Sequence, residues 1–134
     1  MSKKNGAAAS DTLNLGIIGN CKSAALINED SSIDWCCLPQ FDSASVFGKI
    51  IDEKIGGNFK IDCDESYEIT QSYVKNTSIL RTLFSNGTDA FKVLDYMPRY
   101  EKEGGVYYAP PEITRVLKHL HGKPTFRVLY DPKL

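Results

Sequence analysis

The chain lacks most of the features that would place it quickly. No apolar run approaches the roughly 20 residues of a membrane-spanning helix. Neither sign of charge dominates: 16 basic residues face 17 acidic ones, for a net charge of -1. A balanced surface of this kind gives no pointer to nucleic acid or to an anionic membrane as a partner. Four cysteines are present but no C-x-x-C pair, which argues against a zinc ribbon. Gly16-x-x-Gly19 falls short of G-x-G-x-x-G and opens no helix, so a dinucleotide-binding turn is set aside. Internal repeats are absent, and few segments carry the spacing of a long helix.

What is there reads as many short strands. Residues 1–11 are expected to form a flexible polar tail whose three alanines, Ala7 to Ala9, are too few for the apolar part of a signal peptide. A cytoplasmic location is therefore expected, and the sequons at Asn76 and Asn86 are read as chance matches. Residues 12–134 form the expected domain. Short apolar runs at 14–18 and 23–27 flank Gly19-Asn20-Cys21-Lys22, and a third, 33–38, ends at Pro39. Cys36 and Cys37 are adjacent and so point to opposite faces of that strand. The cysteines are read as buried, reduced, small apolar residues.

One short helix is expected near residues 45–54. Ser43 or Ser45 would cap it, and Val46, Phe47, Ile50 and Ile51 would share one face until Gly56-Gly57 stops it. Further on, Tyr67, Ile69, Gln71 and Tyr73 alternate with polar residues, as in a strand with one wet face. Residues 79–84 and 90–96 flank Asn86-Gly87 as a hairpin. A two-residue turn would oppose Arg81 to Lys92, whereas a five-residue loop, 85–89, would oppose Leu83 to Phe91 and Leu80 to Leu94; the longer loop is favoured. Residues 99–111 read as an exposed connection. Residues 113–120 and 125–130 read as a last hairpin around His121-Gly122-Lys123-Pro124. This spacing predicts an all-β chain, mainly an antiparallel sandwich or barrel.

The order of motifs is more specific than their periodicity. Gly19-Asn20 runs through Ala24-Ala25-Leu26-Ile27 into Ser32-Ile33-Asp34-Trp35, then into Pro39-Gln40-Phe41-Asp42-Ser43. Val46-Phe47-Gly48, Asn76 through Thr82, Val93 through Arg99 and Ile113-Thr114-Arg115-Val116 follow. This series resembles the trehalase-like N-terminal domain of glycoside hydrolase family 15, the glucoamylase and trehalase-like group, over roughly residues 13–132. Gln40 and Ala44 depart from it, standing where the family often has Arg and Pro. The resemblance implies a supersandwich-like β-sandwich, its strand set not necessarily complete. It also implies a missing partner, an (α/α)6 barrel that carries two catalytic glutamates and acts on an α-glucoside. No catalytic residue, metal or organic cofactor is expected within these 134 residues. The alternative is a stand-alone β-sandwich that binds carbohydrate or a protein.

Inverting hydrolysis of a glycoside needs two carboxyls set about 6.5–9.5 Å apart. Carboxylates abound here, and spacing singles out no pair; Asp62, Asp64 and Glu65 read as a solvated turn. Three residues are candidates for the rim of a sugar pocket: Trp35, Phe41 and Asp42. Trp35 could stack on a sugar or simply fill the core. Phe41 and Asp42 lie in the loop after Pro39, where Asp42 could instead cap the expected helix. His119 and His121, two apart on a strand, would need a third ligand to hold a metal, and a hairpin-end pair without metal is preferred.

Overall fold

The computed structural model describes residues 14–133. It is all-β, with every strand pairing antiparallel. Twelve strands follow in order: β1 (Leu15–Gly19), β2 (Ala24–Asn28), β3 (Ser32–Cys37), β4 (Ser45–Phe47), β5 (Asn58–Asp62), β6 (Glu68–Tyr73), β7 (Leu80–Ser85), β8 (Ala90–Tyr96), β9 (Tyr100–Glu101), β10 (Tyr107–Tyr108), β11 (Thr114–His121) and β12 (Arg127–Asp131). The first sheet runs β1-β2-β3-β5-β12, with β4 also on β3; the second runs β11-β8-β7-β6. β9 and β10 form a separate two-residue ladder.

Alternation drives the two sheets together. Ile18, Ala25, Ile27, Ile33, Cys36 and Phe47 of the first sheet meet Leu80 of the second, and Met97 just past β8, in one buried cluster. Ile61 joins Tyr67, Phe84, Phe91 and Val93 in another, and Phe59 packs against both. Each cluster thus draws on both sheets, which is what makes the fold a sandwich. At Gly16 the sheets come so close that an added Cβ would lie 2.8 Å from Leu80 Cδ2, so a larger residue there requires the Leu80 side chain to shift.

A buried ion pair stitches the layers. Asp95 on β8 and Arg115 on β11 have side chains 0% and 3% exposed, with Nε to Oδ1 at 2.6 Å. The guanidinium then crosses to the first sheet, donating to the Phe59 carbonyl at 2.8 Å and to the Ser31 carbonyl and hydroxyl at 2.7 and 2.8 Å. On the outer flank of β1, the Tyr73 hydroxyl accepts from Ile17 N–H at 2.8 Å and donates to Ile17 C=O at 3.0 Å.

Four expectations are corrected. The helix near 45–54 is absent. Ser45–Phe47 is β4, with Phe47 opposite Cys36 and Ser45 opposite Cys37. Val46 and Phe47 are strand formers beside an open strand edge, and that pairing outweighs the helical spacing. Hydrogen-bonded turns follow: Asp52 Oδ1 accepts from Lys54 and Ile55 N–H, and Gly48 N–H bonds Gly56 C=O at 2.7 Å. Among the described residues the sole helical element is a 3-10 turn at Glu103–Gly105.

The β7–β8 hairpin takes neither weighed register. Phe84 opposes Phe91, Leu83 opposes Lys92 and Leu80 opposes Asp95, leaving a four-residue loop. Asn86 Oδ1 accepts from Thr88 and Asp89 N–H, closing that loop, and the Phe84 and Phe91 rings stack at 4.6 Å.

Nor do the last two strands form a hairpin. β11 pairs with β8 and β12 with β5, in opposite sheets. Lys123 N–H bonds Asp89 Oδ1 at 2.8 Å and His121 Nδ1 meets Thr88 C=O at 2.9 Å, which fasten the turn to the β7–β8 loop rather than folding it back on itself. Finally, not all cysteines are inside: all four are free thiols, Cys36 and Cys37 buried, Cys63 half-buried and Cys21 exposed. Cys21 sits in the β1–β2 turn at φ 75°, where its side chain is turned outward. The expected tail, 1–11, lies outside the described residues.

Candidate functional site

Loops gather at one end of the sandwich, and Asn20 organises them. Its side chain is buried in the β1–β2 turn. Oδ1 accepts from Lys22 and Ser23 N–H, both at 3.0 Å, while Nδ2 donates to the Pro110 carbonyl at 2.9 Å. One amide therefore shapes its own turn and anchors the far end of the β8–β11 connection. Ser23 Oγ donates to the Cys37 carbonyl, tying in the end of β3.

The loop after β3 starts with a cis Leu38–Pro39 bond. Phe41 N–H donates to the Lys22 carbonyl at 3.1 Å, and Ser43 N–H to the Gln40 carbonyl at 3.0 Å. Gln40 N–H is taken by Ser43 Oγ at 3.1 Å. The main chain is thus held while its side chains face water: Phe41 is 55% exposed and Asp42 is exposed too. A strand and not a helix follows, so Asp42 caps no helix. Trp35 is half-buried on β3, opposite Leu26 of β2. The structure thus puts Phe41 and Asp42 on one pinned loop and Trp35 on the strand leading into it.

Beside the β1–β2 turn lies an open cleft of about 710 Å³, walled by Asn20, Cys21, Asn76, Arg99, Tyr100 and Glu112 among others. It mixes amide, hydroxyl, guanidinium, carboxylate and phenol groups, a lining suited to a polyhydroxylated ligand. Arg99 packs over the Tyr107 ring at 4.2 Å, Lys102 over Tyr108 at 4.0 Å, and Tyr100 meets Tyr108 edge-on at 5.4 Å. These exposed aromatics went unmarked in the sequence, although three tyrosines in a stretch read as a connection were the available signal. Asn20 was visible within a motif, but its bond to Pro110, ninety residues on, had no local trace.

Asp62 is held below the usual carboxylate range first by the hydrogen bond from Arg127, and Asp64 by the hydroxyl and N–H of Ser66. Asp95 is pushed up by burial, against the pull of Arg115. Among the described residues no cluster of three His, Cys, Asp or Glu could hold a metal, and His119 and His121 bond the carbonyls of Gly122 and Thr88. No helix of the described residues is long and apolar enough to cross a membrane.

The fold and motif order agree with comparison to known sequences. A family described as trehalase-like, N-terminal, matches residues 3–134, and the chain belongs to it. A trehalase of Thermoplasma volcanium is 36% identical over 128 residues, covering 87% of this chain and 20% of that protein. Trehalase 1 of Sulfolobus acidocaldarius is 38% identical over 89 residues, 66% of this chain and 15% of the relative. A trehalase of Mycolicibacterium smegmatis is 32% identical over 81 residues, 60% of this chain and 12% of the relative. The chain spans a fifth or less of the length of these curated relatives. No solved structure matches.

Proposed function

We propose that residues 12–134 are the non-catalytic N-terminal domain of a cytoplasmic glycoside hydrolase of family 15, of the glucoamylase or trehalase-like kind, acting on α-linked glucosides. Residues 1–11 are a tail ahead of it. The partner is an (α/α)6 catalytic domain supplying both catalytic glutamates, with no organic cofactor. Loop 39–45 lends Phe41 and Asp42 to the rim of the sugar pocket, and Trp35 backs them. The observation that carries this reading is that loop's construction within a trehalase-family domain. Its backbone is bonded to Lys22 while Phe41 and Asp42 are left facing water. An aromatic beside an acid gains little in an ordinary turn, but each gains a great deal once a ligand or a second domain covers them.

The pure chain should release no glucose from trehalose, maltose or starch, and measurable turnover would overturn the reading. In a full-length relative, Asp42→Ala at the matching position should raise KM or lower kcat with the melting temperature unchanged. If only the melting temperature moves, the loop is structural. A second reading, a free-standing carbohydrate-binding module, draws on the exposed Tyr100 and Tyr107 beside the cleft. Calorimetric titration of the chain with maltose separates the two, since only a module binds on its own.

A further inference from the structure

Phe41 and Asp42 turn their side chains to water, so their place is fixed from the main chain. Two of the loop's bonds, Ser43 N–H to the Gln40 carbonyl and Gln40 N–H to Ser43 Oγ, close it on itself. The bond that fastens its middle to another element is Phe41 N–H to the Lys22 carbonyl, at 3.1 Å. The loop therefore stands where that carbonyl points. Lys22 is exposed and follows Cys21 at φ 75°, a left-handed backbone that a residue with a Cβ keeps only where its surroundings hold it there.

The hold comes from Asn20. The Lys22 carbonyl and the Ser23 N–H belong to one trans peptide unit, planar and rigid, so they point in opposite directions. Asn20 Oδ1 takes that Ser23 N–H at 3.0 Å and thereby aims the carbonyl on the other side of the unit at Phe41. The same oxygen takes Lys22 N–H, also at 3.0 Å, and fixes the preceding peptide. The amide is kept from turning over, because its Nδ2 donates to the Pro110 carbonyl at 2.9 Å and an oxygen in that place would have no hydrogen to accept. Asn20 is 2% exposed, so water replaces none of these partners. Ser23 Oγ, bonded to the Cys37 carbonyl, ties the same turn to the strand that enters the loop.

We infer that Asn20 is the positioning residue of loop 39–45, setting Phe41 and Asp42 at the pocket rim through the peptide that joins Lys22 to Ser23. The inference rests on the reading of that loop as the rim of a sugar pocket. Asn20 touches no substrate; it acts through Lys22 and Phe41. The task needs an acceptor and a donor held in one plane, which a side-chain amide supplies. A serine in its place keeps only a weaker acceptor for the turn, and an alanine keeps neither group.

Amide hydrogen exchange in the chain itself gives the first test. Asn20→Ala should speed exchange at Phe41 N–H by about fivefold more than at the amides of β7, which lies in the other sheet and reports opening of the whole fold. Asn20→Ser should fall between the parent and the alanine variant, and it answers the concern that Asn20→Ala fails to fold. Kinetics give the second test, in a full-length relative with Asn, Phe and Asp at the matching positions. Asn20→Ser should raise KM or lower kcat there, in the direction of Asp42→Ala. It should add nothing once Phe41→Ala and Asp42→Ala are both in place, since no rim group then remains to be positioned. Phe41 exchange that merely follows β7, parental kinetics for Asn20→Ser beside altered kinetics for Asp42→Ala, or effects that multiply would each overturn the proposal. Parental kinetics for Phe41→Ala and Asp42→Ala alike would instead overturn the rim reading, while a selective response at Phe41 N–H would still establish the link from Asn20 to the loop.

Discussion

A carboxylate taken out of water needs a partner, and Asp95 has one in Arg115, which in turn bonds Phe59 of the facing sheet and Ser31 in the turn before β3. Arg115→Met leaves the acid buried without a counter-charge and should destabilise the fold by about 3–5 kcal/mol in urea titration. Adding Asp95→Leu should recover part of that loss, since the stranded charge goes with it. Losses that simply add would mean that the pair itself is not what the site depends on. The thiols offer a second reading at this scale. Burial, then the neighbouring Cys37, pushes Cys36 up to about 11, while Cys21 is exposed. A chromogenic disulfide reagent near neutral pH should therefore label Cys21 first and reach Cys36 only on unfolding. The sign for stability follows. An unfolded cysteine titrates near 8.5, so the Cys36 contribution is whole below that pH and is lost as pH rises towards its folded value of about 11.

At the scale of elements, the β7–β8 loop closes through one side chain. Asn86 Oδ1 receives Thr88 N–H at 3.0 Å and Asp89 N–H at 2.7 Å, and Asp89 in turn holds Lys123 N–H of the next turn. Asn86→Ala should cost about 1 kcal/mol by chemical denaturation, and an unchanged midpoint would show that Gly87 alone sets the turn. That hairpin marks the limit of local reading. Asn-Gly and the flanking apolar runs located it, yet the observed register opposes Phe84 to Phe91 with their rings stacked, a pairing that no rule between charges could supply. The segment at 45–54 failed for the opposite reason. Its 3.6-residue spacing was real, but β3 offered an open edge, and sheet pairing of Ser45 and Phe47 won. β11 and β12 looked like neighbours because they are neighbours in sequence; only the ring contacts of Tyr130 with Phe59 and Phe47 reveal why β12 belongs to the other sheet.

For the whole molecule, the loop end and the outer flank of β1 are separate surfaces. The first was partly legible. Gly19-Asn20 and Phe41-Asp42-Ser43 stood out as motifs, while the 110-to-20 contact that gathers the loops exists only in the folded chain. The second became visible only with the sheet order. The second carries one modest detail, the phenol of Tyr73 seated on the main chain of Ile17. A sheet with two receptive flanks has a valence of two, and units of valence two concatenate without limit. By occupying the outward N–H and C=O of Ile17, Tyr73 removes the β1 flank from that count. The consequence is solubility: Tyr73→Phe, which removes that hydroxyl, should leave the Ile17 backbone groups open to a strand of another copy and lower the concentration at which the chain stays in solution.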